Sequence, residues 1–235
     1  MITINIASIP ERKEGLINTI ESLYDQAHKI VVVLNGYDEV PKELKKARIK
    51  VFQQNNQFGA SAKFFKAPTK GYHFTCDDDI IYPKDYVRKM IEKIEKYYRE
   101  ACVSCYGLVL NKLPLKSYRH NIKNKKVYHF AREVKKDVKV HQLGTGCFAY
   151  HTDTIRFTMK DFAPPLRKNL VDMCVMLKAQ RRRVKTIVVQ HEEGWLQYQE
   201  FLKYGYHVYK DNRSDPVKKQ HYLDSVNKLG KLRLY

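Results

Sequence analysis

Asp77, Asp78 and Asp79 stand in a row at the end of an apolar run, in a chain whose formal net charge is +19. Three adjacent carboxylates repel one another unless a positive charge sits among them, and hard oxygen ligands at this spacing suit a divalent cation such as Mg²⁺ or Mn²⁺. On an extended backbone alternate side chains share a face, so Asp77 and Asp79 can point together while Asp78 points away. A metal held there would in turn hold substrate phosphates. The alternative is a solvated acidic turn that caps the following helix. The segment from Gly71 to Pro83 reads as a strand that delivers the aspartates to a helix opening near the proline. In open α/β sheets ligands gather beyond the carboxyl ends of strands, which is where the triplet falls.

The elements that must position these residues alternate at the pitch of a parallel α/β unit. Residues 2–7 form a β-branched run, and Leu16, Ile20, Leu23 and Tyr24 fall on one stripe of a helix over 11–24. Strands are predicted over 29–34, ended by Asn35-Gly36, then over 49–53, 71–76 and 101–110. A helix over 84–98 buries Val87, Met90, Ile91, Ile94 and Tyr98. No G-x-G-x-x-G follows the first strand and no Walker lysine motif occurs, which disfavours a dinucleotide cofactor or a P-loop mechanism. Phosphates must then be held by other means, and a metal on Asp77 and Asp79 would serve.

At 235 residues, 43% hydrophobic and 29% charged, the chain is long and apolar enough for one globular domain with elaborations. The only organisational change stands near residue 110, dividing a regular half, 1–110, from a less regular half, 111–235. The first ten residues lack the basic start and long apolar run of a signal peptide, and no segment reaches the length of a transmembrane helix. The expectation is a cytoplasmic protein. Cys76, Cys102, Cys105, Cys147 and Cys174 are scattered and odd in number, and are read as buried thiols rather than as a disulfide framework or a zinc knuckle. The excess of 44 Lys and Arg over 25 Asp and Glu predicts an anionic partner. Lys112, Lys116, Arg119, Lys123, Lys125 and Lys126, with Arg181 to Arg183, are candidates to hold a lipid-linked acceptor or to dock peripherally on an anionic membrane.

Four motifs in order carry a resemblance. Ser8-Ile-Pro-Glu-Arg12 follows the first strand and Leu34-Asn-Gly36 the second; Asn56-x-x-Gly59-x-x-x-Lys63 precedes the fourth, and Asp77-Asp-Asp79 ends it. This series resembles a GT-A glycosyltransferase close to the family 2 type. The resemblance implies a Rossmann-like, mostly parallel central sheet flanked by helices, with a less regular acceptor-side half. It implies a nucleoside-diphosphate sugar as donor, UDP favoured, with Ala7, Ser8, Pro10 and Arg12 near base and ribose, and Asn35, Asp77 and Asp78 also on the donor side. Lys63 would lie near sugar or diphosphate, and Asp79 would bind Mn²⁺ or Mg²⁺ directly, with Asp77 beside it and His191 as a further ligand. The loop Gly144-Thr145-Gly146 would let backbone approach donor sugar and acceptor. Asp172 would be the base of an inverting transfer to a glycan or lipid-linked acceptor, with Asp161 in reserve and Asp153 third, the latter read as capping a helix from Thr154.

A nucleic-acid-binding module is the alternative from another class, given the basic charge and interleaved aromatics such as Tyr198, Phe201, Tyr204, Tyr206 and Tyr209. No zinc-finger, RRM or helix-turn-helix signature accompanies them, and an acidic triplet repels nucleic-acid phosphate, so nucleic acid is not expected as a partner. A sugar-phosphate nucleotidyltransferase would carry a glycine- and lysine-rich loop after the first strand, which Ser8-Ile-Pro-Glu-Arg12 does not supply. The aromatic tail is read as a helix packed on the core or as an acceptor platform.

Overall fold

The computed structural model describes residues 1–117, 125–162, 168–199 and 215–235. Five strands open the chain: β1 (Ile2–Ser8), β2 (Lys29–Asn35), β3 (Ile49–Gln54), β4 (Tyr72–Cys76) and the short β5 (Ile80–Ile81). They are followed by β6 (Ala101–Ser104), β7 (Gly107–Val109), β8 (Lys126–Tyr128), β9 (Val138–Lys139), β10 (Gln142–Leu143), β11 (Cys147–His151), β12 (Lys185–Val188) and β13 (Gln197–Tyr198). Four α-helices are described: α1 (Lys13–Leu23), α2 (Tyr86–Lys96), α3 (Val171–Arg182) and α4 (Pro216–Asn227).

The central sheet has the order β3-β2-β1-β4-β11-β6-β12-β9. The run β3-β2-β1-β4 is parallel throughout, as is β6 with β12, whereas β11 lies antiparallel to both neighbours, β4 and β6. This is the mostly parallel, helix-flanked architecture of the GT-A type. Residues from both sides of position 110 share the sheet, since β11 enters between β4 and β6.

Both faces of the sheet are covered, which explains why β2 reads as an unbroken apolar run rather than an alternating one. Ile30, Val32 and Leu34 pack on one face with Leu16, Ile20 and Leu23 of α1 and with Met90 and Ile94 of α2, while Val31 and Val33 meet Ala62 on the other. A second core gathers Phe64, Phe148, Tyr150, Phe157 and Phe162 against the buried side of α3. Each large side chain so buried contributes about 1.5–3 kcal/mol relative to exposure. The five cysteines are free and buried in these layers, as read from their spacing.

Three local expectations are corrected. The strand over 101–110 is two strands in different sheets, because Ser104 Oγ donates to Gly144 O at 2.8 Å and accepts the Tyr106 N–H at 3.2 Å, turning the chain out of the central sheet. Residues 107–109 then pair with β8 and β10 in a small three-stranded sheet. Tyr98 leaves the buried stripe of α2: its φ of +56° ends the helix and turns the ring outward. No helix starts at Thr154, where Thr154 N–H to His151 O at 3.0 Å and Asp153 N–H to His151 Nδ1 at 3.2 Å close a turn instead.

Asp137 ties the C-terminal end of α2 to the sheet edge. Its carboxylate accepts from Lys93 at 2.7 Å, Lys96 at 2.8 Å and the Gln190 N–H at 2.8 Å. Burial alone would raise this carboxyl, but those donors outweigh it and hold it at about 2. With the folded value depressed, the stabilisation is present above the unfolded pKa near 3.8 and is lost as pH falls toward 2. Asp137→Asn is expected to cost about 1–2 kcal/mol in urea unfolding at pH 7, with the difference from wild type closing as the titration is repeated toward pH 2.

Candidate active site

The carboxyl ends of β1, β2 and β4 open into one cavity of about 1060 Å³. Among the residues expected to act, Ala7, Ser8, Arg12, Asn35, Lys63, Asp77, Asp78, Asp79, Thr145 and Asp172 line it. Pro10, Gly144, Gly146 and His191 are not among its lining residues. Pro10 opens an exposed 3₁₀ turn that carries the chain from β1 to Arg12.

Arg12 joins the triplet to the first strand–helix connection. Its Nη1 donates to Asp78 Oδ1 at 2.8 Å and to Asp79 Oδ2 at 3.1 Å. Burial disfavours the charged guanidinium, yet Asp78 and Asp79 outweigh that cost and raise its pKa. Asp78 is 4% exposed, and burial pushes its carboxyl up against the pull of Arg12. Lys63 lies on a 3₁₀ segment, Gly59–Phe64, and forms an ion pair with Asp77 Oδ1. It is 3% exposed; burial lowers its pKa, but Asp77 and then Asp172 and Asp78 reverse the direction and raise it.

Two close approaches hold this arrangement. A Cβ on Gly146 would come within 2.2 Å of Asp77 Oδ2, and the Asp77 N–H donates to Gly146 O at 3.0 Å, so the loop lies directly on the first aspartate. Gly59, at φ +51°, would place a Cβ 2.3 Å from Asn169 Oδ1, which itself accepts the Ala60 N–H at 3.1 Å. Asn35 Nδ2 donates to Gly59 O at 3.2 Å from the other side. The Lys63 segment is thereby clamped between the end of β2 and the start of α3.

Asp172 sits in the first turn of α3. Its Oδ1 accepts the Thr145 N–H at 2.9 Å and the Thr145 hydroxyl at 2.7 Å. Burial raises its pKa despite those two bonds and the nearby Lys63. Asp79 is raised to about 7 by burial and then by Asp77 and Asp78, against Arg12 and Lys63. Four carboxylates thus meet two cations, the buried Lys63 and the half-buried Arg12.

His191 lies elsewhere. It bridges to Val134, its Nδ1 is 2.7 Å from Val189 O and its Nε2 is 3.4 Å from His129 O. Asp161 pairs with Lys178 at 2.6 Å, and Asp153 lies 3.1 Å from His151 Nδ1; neither lines the cavity. Among the described residues no group of three or more His, Cys, Asp and Glu is arranged to hold a metal.

The sequence reading missed the strap that closes the triplet from behind. Gln199 donates from its backbone N–H to Asp79 O at 3.0 Å, and from Nε2 to Gly15 O at 2.9 Å and Asp78 O at 3.3 Å. β13 pairs with β5, setting Tyr198 opposite Ile80. Tyr198 is therefore on a strand beside the aspartates rather than on a helix, and burial, then Asp79 and Asp77, raise its phenol pKa. Tyr106, whose ring covers Gly144, also lines the cavity. The aromatic band was the only signal for Tyr198; Phe201, Tyr204, Tyr206 and Tyr209 fall outside the described residues, as do Arg119 and Lys123.

The model of glycosyl transferase family 2 matches residues 6–156, more than half of the chain, and includes Asp77, Asp78 and Asp79 but not Asp172. This chain belongs to that family. Family 2 membership implies glycosyl transfer that in general depends on a divalent cation. Among solved structures the family 2 chain is similar to S. aureus TarS 1-349 in complex with UDP-GlcNAc, with 13% identity and a TM-score of 0.52, covering 97% of this chain and 71% of that one. A second structure of S. aureus TarS 1-349 matches at 14% identity and TM-score 0.49, over 81% of this chain and 58% of that one. The likeness is one of fold, and this chain spans only part of the length of those structures. No curated protein matches it. Among the described residues no helix is long and apolar enough to cross a membrane.

Removing the bridge at Arg12 leaves Asp78 buried without its partner. Arg12→Ala is expected to destabilise by about 3–5 kcal/mol in chemical denaturation. Adding Asp78→Asn should recover a large part of that loss, and a double-mutant cycle with no coupling between the two would contradict the bridge.

Proposed function

We propose that this chain transfers a sugar from a nucleoside-diphosphate sugar, with UDP as the nucleotide, to a hydroxyl of a glycan or lipid-linked acceptor in surface glycan or related glycoconjugate synthesis, with inversion. The observation that carries the reading is the joining of Arg12, Lys63, Asp77, Asp78, Asp79 and Asp172 on one wall of a 1060 Å³ cavity at the carboxyl ends of the sheet. That the TarS structure of similar fold contains UDP-GlcNAc supports the choice of nucleotide.

The donor set fits a hard divalent cation. Asp77 and Asp79 offer carboxylate oxygens at the cavity, and burial with two neighbouring carboxylates disfavours the charged form of Asp79, a cost that a bound cation would relieve. Asp79 and Asp77 would hold Mn²⁺ or Mg²⁺, with the rest of the coordination sphere supplied by substrate phosphate and water. His191 is not retained as a ligand, since its ring nitrogens face backbone carbonyls outside the cavity wall. The ion, when bound, neutralises the charge that grows on the departing diphosphate.

The chain's own residues supply the remaining steps. Ala7, Ser8 and Asn35 border the donor end, with Arg12 holding Asp78 and Asp79 in place for it. Lys63 brings a buried positive charge between Asp77 and the Thr145 carbonyl, close to where sugar and diphosphate meet. Thr145 fixes Asp172 through Oδ1, leaving the other carboxylate oxygen to take the acceptor proton. Its raised pKa improves it as a base. As the acceptor oxygen bonds to the anomeric carbon, the sugar–phosphate bond breaks and its electron pair leaves with the nucleoside diphosphate. Attack from the face opposite the leaving group inverts the anomeric centre. The exposed Arg181, Arg182 and Arg183 at the end of α3, with Lys112 and Lys116, are proposed to rest the enzyme peripherally on an anionic membrane surface.

A panel of nucleotide sugars assayed for slow donor hydrolysis, with and without Mn²⁺, tests the reading without knowledge of the acceptor. UDP-sugars are expected to turn over only with the metal, and Asp79→Ala to abolish that turnover in a folded protein. Asp172→Asn is expected to lower transfer by about 10²–10⁴-fold while UDP affinity persists. Tight binding of an oligonucleotide with no response to UDP and Mn²⁺ would favour the nucleic-acid reading instead.

A further inference from the structure

Three successive carbonyls of the aspartate turn, those of Asp78, Asp79 and Ile80, are held from behind. The Gln199 N–H donates to Asp79 O at 3.0 Å, Gln199 Nε2 to Asp78 O at 3.3 Å, and the Thr19 hydroxyl to Ile80 O at 2.8 Å. The same amide nitrogen donates to Gly15 O at 2.9 Å and Thr19 Oγ1 at 3.1 Å, and Gln199 Oε1 accepts from Asn18 Nδ2 at 3.1 Å. Gly15, Asn18 and Thr19 all belong to α1. Gln199, 5% exposed, is thus wedged between that helix and the backbone that carries the triplet. Carbonyl oxygens only accept, so its amide fits in one orientation, with nitrogen toward Gly15 O and Asp78 O and oxygen toward Asn18.

The front of the turn is held by charge instead. Arg12, the residue before α1, donates to Asp78 Oδ1 and Asp79 Oδ2. One helix and its leading residue therefore grip the turn twice, the carboxylates through Arg12 and the carbonyls through Gln199 and Thr19. Peptide groups are planar, so pinning the carbonyls of Asp78 and Asp79 fixes the planes that flank the Asp79 Cα and the direction in which its side chain leaves. Groups that hold metal ligands in place contribute to affinity without touching the ion.

We infer that Gln199 is a positioning residue for the proposed cation site, aiming Asp79 into the cavity through the backbone of the turn. This deepens the glycosyl-transfer reading and rests on it. Mn²⁺ binding to the UDP-filled protein, read from the electron paramagnetic resonance of the free ion, tests it without turnover. Gln199→Leu keeps most of the side chain's bulk and removes its polar atoms; it is expected to weaken Mn²⁺ by about 10–100-fold. Asp137→Asn, whose site lies outside the cavity lining, loses stability elsewhere and is expected to bind Mn²⁺ as the wild type does. Thr19→Val removes the hydroxyl that Gln199 and Ile80 share and is expected to weaken Mn²⁺ by a smaller factor. Wild-type Mn²⁺ affinity in Gln199→Leu, or in Thr19→Val if the first variant does not fold, overturns the inference. Equal weakening in Asp137→Asn also overturns it, by tracing the effect to lost stability alone. No Mn²⁺ binding by the wild-type protein is a different result: the glycosyl-transfer reading itself then fails, and the inference falls with it.

Discussion

Three carboxylates in successive positions at the end of a strand are stable only if something opposes their charge, and in this chain two cations do so from different parts of the fold. Arg12 reaches Asp78 and Asp79 from the connection after β1, and Lys63 reaches Asp77 from the segment before β4. Lys63 would not remain buried without Asp77, and Asp78 would not remain buried without Arg12. The mutual dependence fixes the turn after β4 against the ends of β1 and β2. Burial and the two neighbouring aspartates still lift Asp79 to about 7 against both cations. A carboxylate whose ionisation is disfavoured by burial and by like charges beside it is one that a bound cation would favour in its charged form.

The rest of the site is arranged around that turn. Parallel pairing of β1 with β2 and β4 brings Ser8, Asn35 and the aspartates to one edge. Antiparallel entry of β11 beside β4 then sets Gly146 on Asp77 and lets Thr145 hold Asp172. From more than a hundred residues away, Gln199 stitches the back of the turn to α1. The candidate site thus depends on contacts made by three well-separated stretches of chain, each using backbone groups as well as side chains.

Much of this was legible because the signals were local. β-branched runs specify β1 to β4, the stripe Leu16, Ile20, Leu23 specifies α1, and the order of Arg12, Lys63 and the aspartates marks one cavity edge in the sequence alone. Asp172 and Thr145 could be named, but their hydrogen bonds could not. What escaped was non-local. The split of residues 101–110 depends on Ser104 bonding Gly144 some forty positions on, and the outward turn of Tyr98 on a left-handed residue no periodicity announces. The strap at Gln197 to Gln199 carries no motif because its function is met by backbone donors and a single amide. His191 shows the converse error: its position after a strand is suggestive, but strand pairing to Val134 turns it into the interior.

The central claim is that Asp77 and Asp79 hold a divalent cation shared with a nucleoside diphosphate. Anomalous diffraction from crystals soaked with manganese and UDP measures this directly. The account predicts a manganese peak about 2.1 Å from an Asp79 oxygen, in contact with the diphosphate of a UDP lying along Ala7, Ser8 and Asn35. UDP bound in the cavity with no manganese peak at Asp77 or Asp79, or manganese bound at another cluster, would contradict it.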